Sequence, residues 1–236
     1  MVQPRNASTV VLLRPGDNGN FEILLTRRPQ EMKFLGGYYV FPGGTVHQDD
    51  CSSKVLERCR GLSANDARKI LGSGGDANQA LGHWVAVARE LFEEVGVLLC
   101  VTESGDEIDM RDQSANSRID LKRQAIVKNE LDFGSFLESE NLFCDLSRAI
   151  YFDHWVTPEI YSMRFDTRFY LAKLPSHQVP LVSSEEVTDS LWVTPQHVLS
   201  RIDRHDFPIL PPTTTVLAEL GQIGSWRELQ SRFHLI

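Results

Sequence analysis

The stretch that decides the fold of this chain reads Trp84-Val85-Ala86-Val87-Ala88-Arg89-Glu90-Leu91-Phe92-Glu93-Glu94-Val95-Gly96-Val97. Its apolar side chains recur at helical spacing and form one stripe, made of Trp84, Val87, Ala88, Leu91 and Val95. The pattern predicts an amphipathic helix that begins after Asp76, as N-cap with Gln79 as its capping-box partner, and ends at Gly96.

The three glutamates Glu90, Glu93 and Glu94 have the same i, i+3, i+4 spacing and lie on a neighbouring stripe of that helix. Like charges at this spacing repel each other by a few tenths of a kcal/mol per pair. A hard cation among them would relieve that repulsion, since Mg²⁺ and Mn²⁺ prefer oxygen ligands. Solvated helices also contain Arg-Glu-x-x-Glu-Glu, so this spacing alone does not indicate a metal site. The turn Phe41-Pro42-Gly43-Gly44 favours a functional interpretation, because bare backbone there can approach a ligand.

The rest of the chain alternates strand and helix signals and predicts an α+β fold. Two apolar runs, Thr9–Leu13 and Phe21–Thr26, flank a cluster of turn-forming residues and predict a hairpin. Further strands are predicted at 38–41, 150–156, 165–174 and 191–193, and further helices at 63–71, 121–131, 133–137, 195–202, 213–220 and 225–233. Residues 102–118 are polar and predict a loop. We expect one domain over 1–236, with helical inserts at about 48–80 and 101–149 and C-terminal helices over 195–236.

Composition excludes several classes of protein. With 24 Lys+Arg against 32 Asp+Glu, the net charge of −8 argues against a nucleic-acid binder. No apolar run approaches the ~20 residues of a membrane span, and no secretory signal is visible. Cys51, Cys59, Cys100 and Cys144 include no C-x-x-C pair and are typical of reduced thiols. We therefore expect a cytoplasmic protein without nucleic-acid or membrane partners.

The glutamate helix resembles the second half of a Nudix box, whose family pattern is G-x5-E-x7-R-E-U-x-E-E-x-G-U, with U a bulky aliphatic residue. Gly44 looks like the first glycine, but it lies 89 − 44 = 45 positions before Arg89, where the pattern has 14, so 31 residues are extra. Counting back eight positions from Arg89 gives Leu81 instead of the family's first glutamate, the usual partner of the arginine. Glu57 and Asp76 remain alternative partners.

A Nudix box divided by an insert, as in this chain, makes the sequence similar to the long-insert branch of coenzyme A diphosphatases. The stretches that support this are Ile23–Arg28, Phe41–Gly44, His154–Pro158 and Arg164–Phe169. The resemblance implies an α/β/α sandwich with a mixed sheet and a metal-dependent hydrolase that cleaves the pyrophosphate bond of a nucleoside diphosphate derivative. Coenzyme A or an acyl-CoA is the leading substrate, and ADP-ribose, dinucleotides or modified nucleotides are alternatives. A non-catalytic ligand-binding module, which Leu81 would favour, is the other alternative.

The same resemblance assigns roles to individual residues. Mg²⁺ or Mn²⁺ would be held by Glu90, Glu93, Glu94, the Gly44 carbonyl and the late acidic residue Glu186, with Glu90, Glu93 or Glu186 as general base and Arg89 orienting the carboxylates. Substrate phosphates would meet basic residues beside the site, with Arg27, Arg28, Lys33, Arg164 and Arg168 as candidates. Tyr38, Tyr39 and Phe41 are candidates for base stacking or for the core. The three histidines His47, His83 and His154 share no metal-ligand spacing and are interpreted as structural. A homodimer is a further expectation.

Overall fold

A mixed sheet forms the centre of the computed structural model, which describes residues 2–32, 35–72, 75–184 and 187–235. The strands are β1 (Arg5–Pro15), β2 (Phe21–Arg27), β3 (Tyr39–Val40), β4 (Gly43–Thr45), β5 (Cys59–Arg60), β6 (Cys100–Val101), β7 (Phe143–Asp145), β8 (Ile150–Val156), β9 (Phe165–Lys173) and β10 (Asp189–Val193). The helices are α1 (Ser53–Leu56), α2 (Ala64–Ile70), α3 (Ala77–Val95), α4 (Gln113–Val127), α5 (Phe133–Ser139), α6 (Pro195–Asp203), α7 (Pro211–Leu220) and α8 (Trp226–Phe233).

The main sheet has the strand order β10-β2-β1-β9-β8, with β3 paired to β2 and β4 paired to β1. Strands β1 and β2 form the predicted hairpin, with Leu13 opposite Ile23 in an antiparallel ladder. On its other side β1 runs parallel to β9, with Thr9 opposite Phe169. The short strand β4 places Gly44 opposite Ser8 of β1, so the glycine turn is fixed to the middle of the sheet.

Helices cover both faces of this sheet, in the α/β/α layering that the resemblance implied. Val10 and Leu12 of β1 pack on the same side as Trp84 of α3, in one buried cluster. Val11 and Leu13 face the opposite way and pack in a second cluster with residues of α6, α7 and α8. Both faces are buried, which explains why β1 reads as an unbroken apolar run rather than an alternating one.

The glutamate helix α3 begins and ends where the sequence predicted. The Asp76 side chain accepts a hydrogen bond from the backbone N–H of Asn78, which caps the first turn. Gly96 ends the helix in the left-handed conformation with φ 71°, and its N–H donates to Phe92 O at 2.9 Å. Within the described ranges, no helix combines the length and the apolar character that crossing a bilayer requires.

Residues 48–80 and 101–149 differ from the expectation that they contain only helices and loops. Strand β5 of the first segment pairs with β7 of the second, and β7 pairs with β6, in a separate three-stranded sheet. Helix α4 begins at Gln113, inside the predicted loop, because Asp112 caps it through the N–H of Ser114. The two segments therefore contact each other through backbone pairing as well as through α1 and α5.

Candidate active site

The glycine turn and the glutamate helix meet directly, although 45 residues separate Gly44 from Arg89 (89 − 44). A Cβ atom placed on Gly44 would lie 2.6 Å from the carboxyl carbon of Glu90 and 2.7 Å from its Oε2. Real Cβ atoms do not approach other atoms so closely. The absence of a side chain at position 44 is what lets the backbone of β4 lie against the Glu90 carboxylate.

Arg89 connects the groups around this contact. Its Nε donates to Asp50 Oδ1 at 2.8 Å and Nη2 donates to Asp50 Oδ2 at 3.0 Å, a two-pronged pair. Nη1 donates to Glu90 Oε1 at 2.8 Å and Glu93 Oε2 at 3.2 Å, and Nη2 also donates to the Thr45 carbonyl at 3.0 Å. Because these bonds use all five N–H groups of a guanidinium, Arg89 has no donor left for a substrate.

Asp50 is the partner of Arg89, and the two alternatives from the sequence, Glu57 and Asp76, were wrong. Glu57 is exposed, and Asp76 caps the start of α3. Asp50 lies 50 − 44 = 6 positions after Gly44, the spacing that the family pattern gives to its first glutamate. Counting forward from Gly44, rather than back from Arg89, would have found it. The extra residues therefore follow Asp50, and Leu81 has no part in the motif.

Burial perturbs the charged groups of this network. Burial alone would lower the pKa of Arg89, but hydrogen bonding to Asp50 and the charges of Glu90, Asp50 and Glu93 outweigh it and raise that pKa. Burial also raises the pKa of Glu93 to about 7, with the Glu90 charge adding to the shift and Arg89 opposing it. A divalent cation beside Glu93 would act in the opposite direction, since it favours the ionised carboxylate.

The donor set around Gly44 suits a hard divalent cation. Glu90 is 8% exposed, Glu94 is 6% exposed, and the Glu93 side chain is 20% exposed, so three carboxylates lie in a poorly hydrated place. Carboxylate and carbonyl oxygens are the ligands that Mg²⁺ and Mn²⁺ prefer. In the described ranges, no three Asp, Glu, His or Cys side chains are already arranged as a coordination shell. Two of the three glutamates, Glu90 and Glu93, form ion pairs with Arg89 instead.

A cavity of about 670 Å³ opens above these groups. Glu90, Glu93 and Gly44 line it together with Arg28, and Phe41 and the end of α4 contribute further walls. Two aromatic side chains that the sequence interpretation did not single out, Trp155 and Phe165, also line it. The signal for them was the alternation of side chains along a strand. Residue 155 of β8, residue 157 just after β8, and residues 165, 167 and 169 of β9 all line the cavity.

The predicted basic residues differ in where they lie. Arg28 lines the cavity, and its Nε is buried without a hydrogen-bond partner among the described atoms. Three others are absent from the described lining of the cavity: Arg27 donates to the Gly37 carbonyl, Arg164 donates to the carbonyls of Thr157 and Val2, and Arg168 pairs with Asp166.

Other predicted residues have structural contacts or lie outside the description. Lys33 and Glu186 belong to the parts of the chain outside the described ranges. Tyr39 stacks on Phe207 with ring centroids 4.2 Å apart, Tyr38 is absent from the described lining, and Phe41 is buried at the cavity wall.

The sequence of this chain matches a family model and curated relatives. A family model described as the NUDT19 Nudix domain matches residues 4–220. The curated Acyl-coenzyme A diphosphatase NUDT19 of Xenopus laevis is 25% identical over 243 residues, which covers 90% of this chain and 63% of that protein. Putative nudix hydrolase 7 of Caenorhabditis elegans is 26% identical over 204 residues, covering 86% of this chain and 57% of that protein. The chain thus spans less than two thirds of the length of these curated relatives.

A solved structure is similar over almost the whole chain. The crystal structure of a NUDIX hydrolase from Alicyclobacillus acidocaldarius superposes with a TM-score of 0.78 at 27% identity. The superposition covers 98% of this chain and 97% of that one, so the segments 48–80 and 101–149 fall within a fold that has a solved counterpart.

Proposed function

This chain belongs to the NUDT19 Nudix domain family, and from that membership we propose that it is a metal-dependent pyrophosphohydrolase that cleaves a nucleoside diphosphate derivative. Coenzyme A or an acyl-CoA is the leading substrate, since the Xenopus laevis relative is named as an acyl-coenzyme A diphosphatase. The observation on which the proposal rests is the contact between Gly44 and Glu90 in a cavity that Arg28 also lines.

The cation that we propose is Mg²⁺ or Mn²⁺, because Nudix hydrolases generally need a divalent metal ion and the donors here are oxygens. Glu90, Glu93, Glu94 and the Gly44 carbonyl would hold it, with Glu186 as a further ligand. When bound, the cation supplies charge neutralisation for the diphosphate and acidifies the attacking water.

The side chains of the site do the remaining work. Glu90, Glu93 or Glu186 would accept the proton that the attacking water loses. The water oxygen adds to one phosphorus, the bridging P–O bond breaks, and two phosphomonoesters leave. Arg89 is a positioning residue, because its five N–H groups hold the carboxylates, Asp50 and the backbone of Thr45.

Arg28 is the residue that we propose for binding a substrate phosphate away from the bond that breaks. Its buried Nε without a protein partner supports this role, since a guanidinium in such a place gains most from an anionic ligand. Lys33 remains a prediction of the same kind. Arg27, Arg164 and Arg168 already bind protein groups, which makes them weaker candidates.

The test of this function is hydrolysis by the purified chain with Mg²⁺ or Mn²⁺ of a panel containing CoA, an acyl-CoA, ADP-ribose, NADH and nucleotides. We expect two phosphate-bearing products from CoA or the acyl-CoA, and we expect Glu90→Gln and Glu94→Gln each to abolish turnover while the circular dichroism spectrum is unchanged. Gln keeps the shape of the side chain and removes its charge. The matched control is Glu138→Gln, on the exposed side of α5. Wild-type rates in both active-site variants would rule out the assignment.

The alternative of a non-catalytic binding module has lost its support. Leu81 favoured it, but Asp50 holds Arg89 and the three glutamates are present. ADP-ribose, dinucleotides and modified nucleotides remain alternative substrates, which the panel separates. Organisation of residues 1–236 as one Nudix domain, a cytoplasmic location and a homodimer remain predictions. Gel filtration with light scattering tests the homodimer.

A further inference from the structure

One wall of the cavity comes from the end of α4, the start of α5 and the turn between them. We call this segment, residues 126–134, the α4–α5 turn. Val127, Leu131 and Phe133 line the cavity there, next to Val55 of α1. Phe133 is 4% exposed and packs near Phe92 of α3, which makes this wall continuous with the core behind the glutamates. The lining residues of this segment are four apolar ones, two polar ones and a glycine: Ile126, Val127, Leu131, Phe133, Asn129, Asp132 and Gly134.

The α4–α5 turn is a well-bonded element. Asn129 takes the left-handed conformation with φ 58°, and its N–H donates to the Ile126 carbonyl at 2.8 Å. The Glu130 N–H donates to the Ala125 carbonyl at 2.8 Å, which closes the end of α4. These bonds hold Leu131 in place at the cavity.

The acidic residue of the turn does not change the character of the wall. Asp132 accepts a hydrogen bond from the N–H of Ser135 at 2.8 Å and so caps α5. Its other oxygen pairs with Lys54 Nζ at 2.9 Å. With the charge of Asp132 matched by Lys54, a ligand would meet the apolar side chains of Val127 and Leu131 and the amide of Asn129.

The apolar wall lies beside the glutamates. Val127 lines the main cavity and also a small adjoining cavity of about 50 Å³, which it shares with Glu90 and Glu93. Arg28 belongs to the polar part of the same cavity. A diphosphate held at the glutamates would therefore have one arm in polar surroundings and could reach the aliphatic wall with the other.

We infer that the α4–α5 turn binds the non-nucleotide arm of the substrate and that this arm is a flexible chain with apolar segments, such as acylated pantetheine. The inference rests on the proposed function and adds the residues that set its specificity. A second nucleoside would place ribose hydroxyls against Val127 and Leu131, whose side chains offer no hydrogen bond in return for the lost water, while Asn129 would be left to bind an amide of a pantetheine chain. An acyl chain would instead gain from burial there.

The test measures the binding of CoA and octanoyl-CoA to the full chain by calorimetry, with Ca²⁺ in place of Mg²⁺ to slow hydrolysis. For the wild type we expect octanoyl-CoA to bind at least about tenfold more tightly than CoA. Leu131→Ser should bring the ratio of the two dissociation constants close to one. Val127→Asn, the second variant, should do the same if Leu131→Ser fails to fold.

The matched control is Leu121→Ser, which makes the same change at a position on α4 that is 67% exposed. It should keep the wild-type ratio. Equal or undetectable binding of both ligands by the wild type, or an unchanged ratio in folded Leu131→Ser, would overturn the inference. A different result, the absence of products from the whole panel, would contradict the proposed function. The ratio of the two dissociation constants could still be measured in that case.

Discussion

Arg89 and Asp50 form a buried ion pair whose members come from different elements. The side chain of Arg89 is 6% exposed and that of Asp50 is 2% exposed, so neither charge is well solvated. Removing one member of such a pair leaves the other charge buried without compensation, which typically costs about 3–5 kcal/mol. The pair therefore affects both the stability of the protein and the position of Glu90 and Glu93.

We predict that Asp50→Ala lowers the free energy of unfolding by about 3 kcal/mol or more and lowers kcat, because Arg89 then moves the carboxylates that it holds. Asp50→Glu should recover part of the loss, since the family pattern has glutamate there. Urea denaturation and steady-state kinetics measure the two effects. Exposed Glu57 provides the control, Glu57→Ala. Wild-type stability and kcat in Asp50→Ala would contradict the role of the pair.

A second prediction concerns Gly44→Ala. The added Cβ would overlap the Glu90 carboxylate, so Glu90 must move, and a shift of about 1 Å in a catalytic group can cost about 100-fold in rate. We expect a loss of kcat of this order with a small change in melting temperature. Gly75→Ala is the control, because a Cβ at position 75 meets no described atom within 4 Å. Equal kcat values for the two variants would show that the close approach is unimportant.

The individual residues of the site were only partly predictable. Local spacing was enough to place Glu90, Glu93 and Glu94 on one helix and Gly44 in a turn, because a helix period and a glycine turn are visible without a structure. Asp50 was missed because the count began at the wrong end of an interrupted motif. Trp155 and Phe165 could not be assigned to the cavity until the pairing of β8 with β9 and of β9 with β1 was known.

At the scale of elements, the small sheet β5-β7-β6 brings three cysteines side by side. Cys59 lies opposite Cys144, and Cys144 lies opposite Cys100. Hydrogen bonding to Cys144 and burial raise the pKa of Cys59, and hydrogen bonding to Cys100 and burial raise the pKa of Cys144. Because the thiolate is the reactive form, these thiols should be inert in the folded protein.

We predict that iodoacetamide at pH 8 labels Cys51 first and Cys144 last. Burial raises the pKa of Cys51 to about 11, which lowers its thiolate fraction about 100-fold, but it is only half buried. Mass spectrometry of timed samples gives the order, and labelling in guanidinium chloride provides the unfolded control. Rapid labelling of Cys144 in the native protein would mean that the small sheet opens readily.

The longer elements were predictable and the shortest were not. Ser63, Asp76 and Thr194 are side-chain caps with helical patterns behind them, and α2, α3 and α6 begin directly after them. Strands β5 and β6 have two residues each, too few for any alternation to appear. Such strands form only where distant segments pair, and the periodicity of a short stretch of sequence contains no information about that pairing.

At the scale of the whole molecule, α3 is fixed to the sheet by apolar packing and by polar contacts, one of which is buried at His83. His83 Nδ1 lies 2.9 Å from the Ser8 hydroxyl, on the strand that also pairs with Gly44. Burial lowers the pKa of His83 to about 4, with nearby Arg168 and His154 adding to the shift and Asp166 opposing it. The neutral imidazole is therefore the form that the packed interior accepts.

This shift predicts a pH dependence of stability. Between pH 6.5 and about 4 the unfolded chain binds a proton at His83 that the folded chain does not, so the free energy of unfolding falls as pH falls through this window. The full effect is about 3 kcal/mol. Urea denaturation at pH 7 and pH 5 should show a smaller loss in His83→Gln than in the wild type.

Comparing His83→Gln with the wild type separates the contribution of His83 to the pH dependence from that of Glu93. The raised pKa of Glu93 makes the free energy of unfolding rise, rather than fall, as pH falls. Exposed His197 on α6 supplies the control, His197→Gln, which should keep the wild-type dependence. An identical dependence in His83→Gln would show that this histidine does not contribute.

The layered architecture was predictable through the resemblance of residues 89–97 to a Nudix box, which implies an α/β/α sandwich. The sequence could not reveal that the segments 48–80 and 101–149 join through β5 and β7, since that pairing links residues about 85 positions apart (144 − 59 = 85).

Asp50 and Arg89 meet through their side chains, so the two halves of the motif come together although an insert separates them in the sequence. A scan that demands fixed spacing would overlook proteins of this kind. A search for Gly-x5-Asp and Arg-Glu-x-x-Glu-Glu as two separate motifs, with any number of residues between them, would find such proteins.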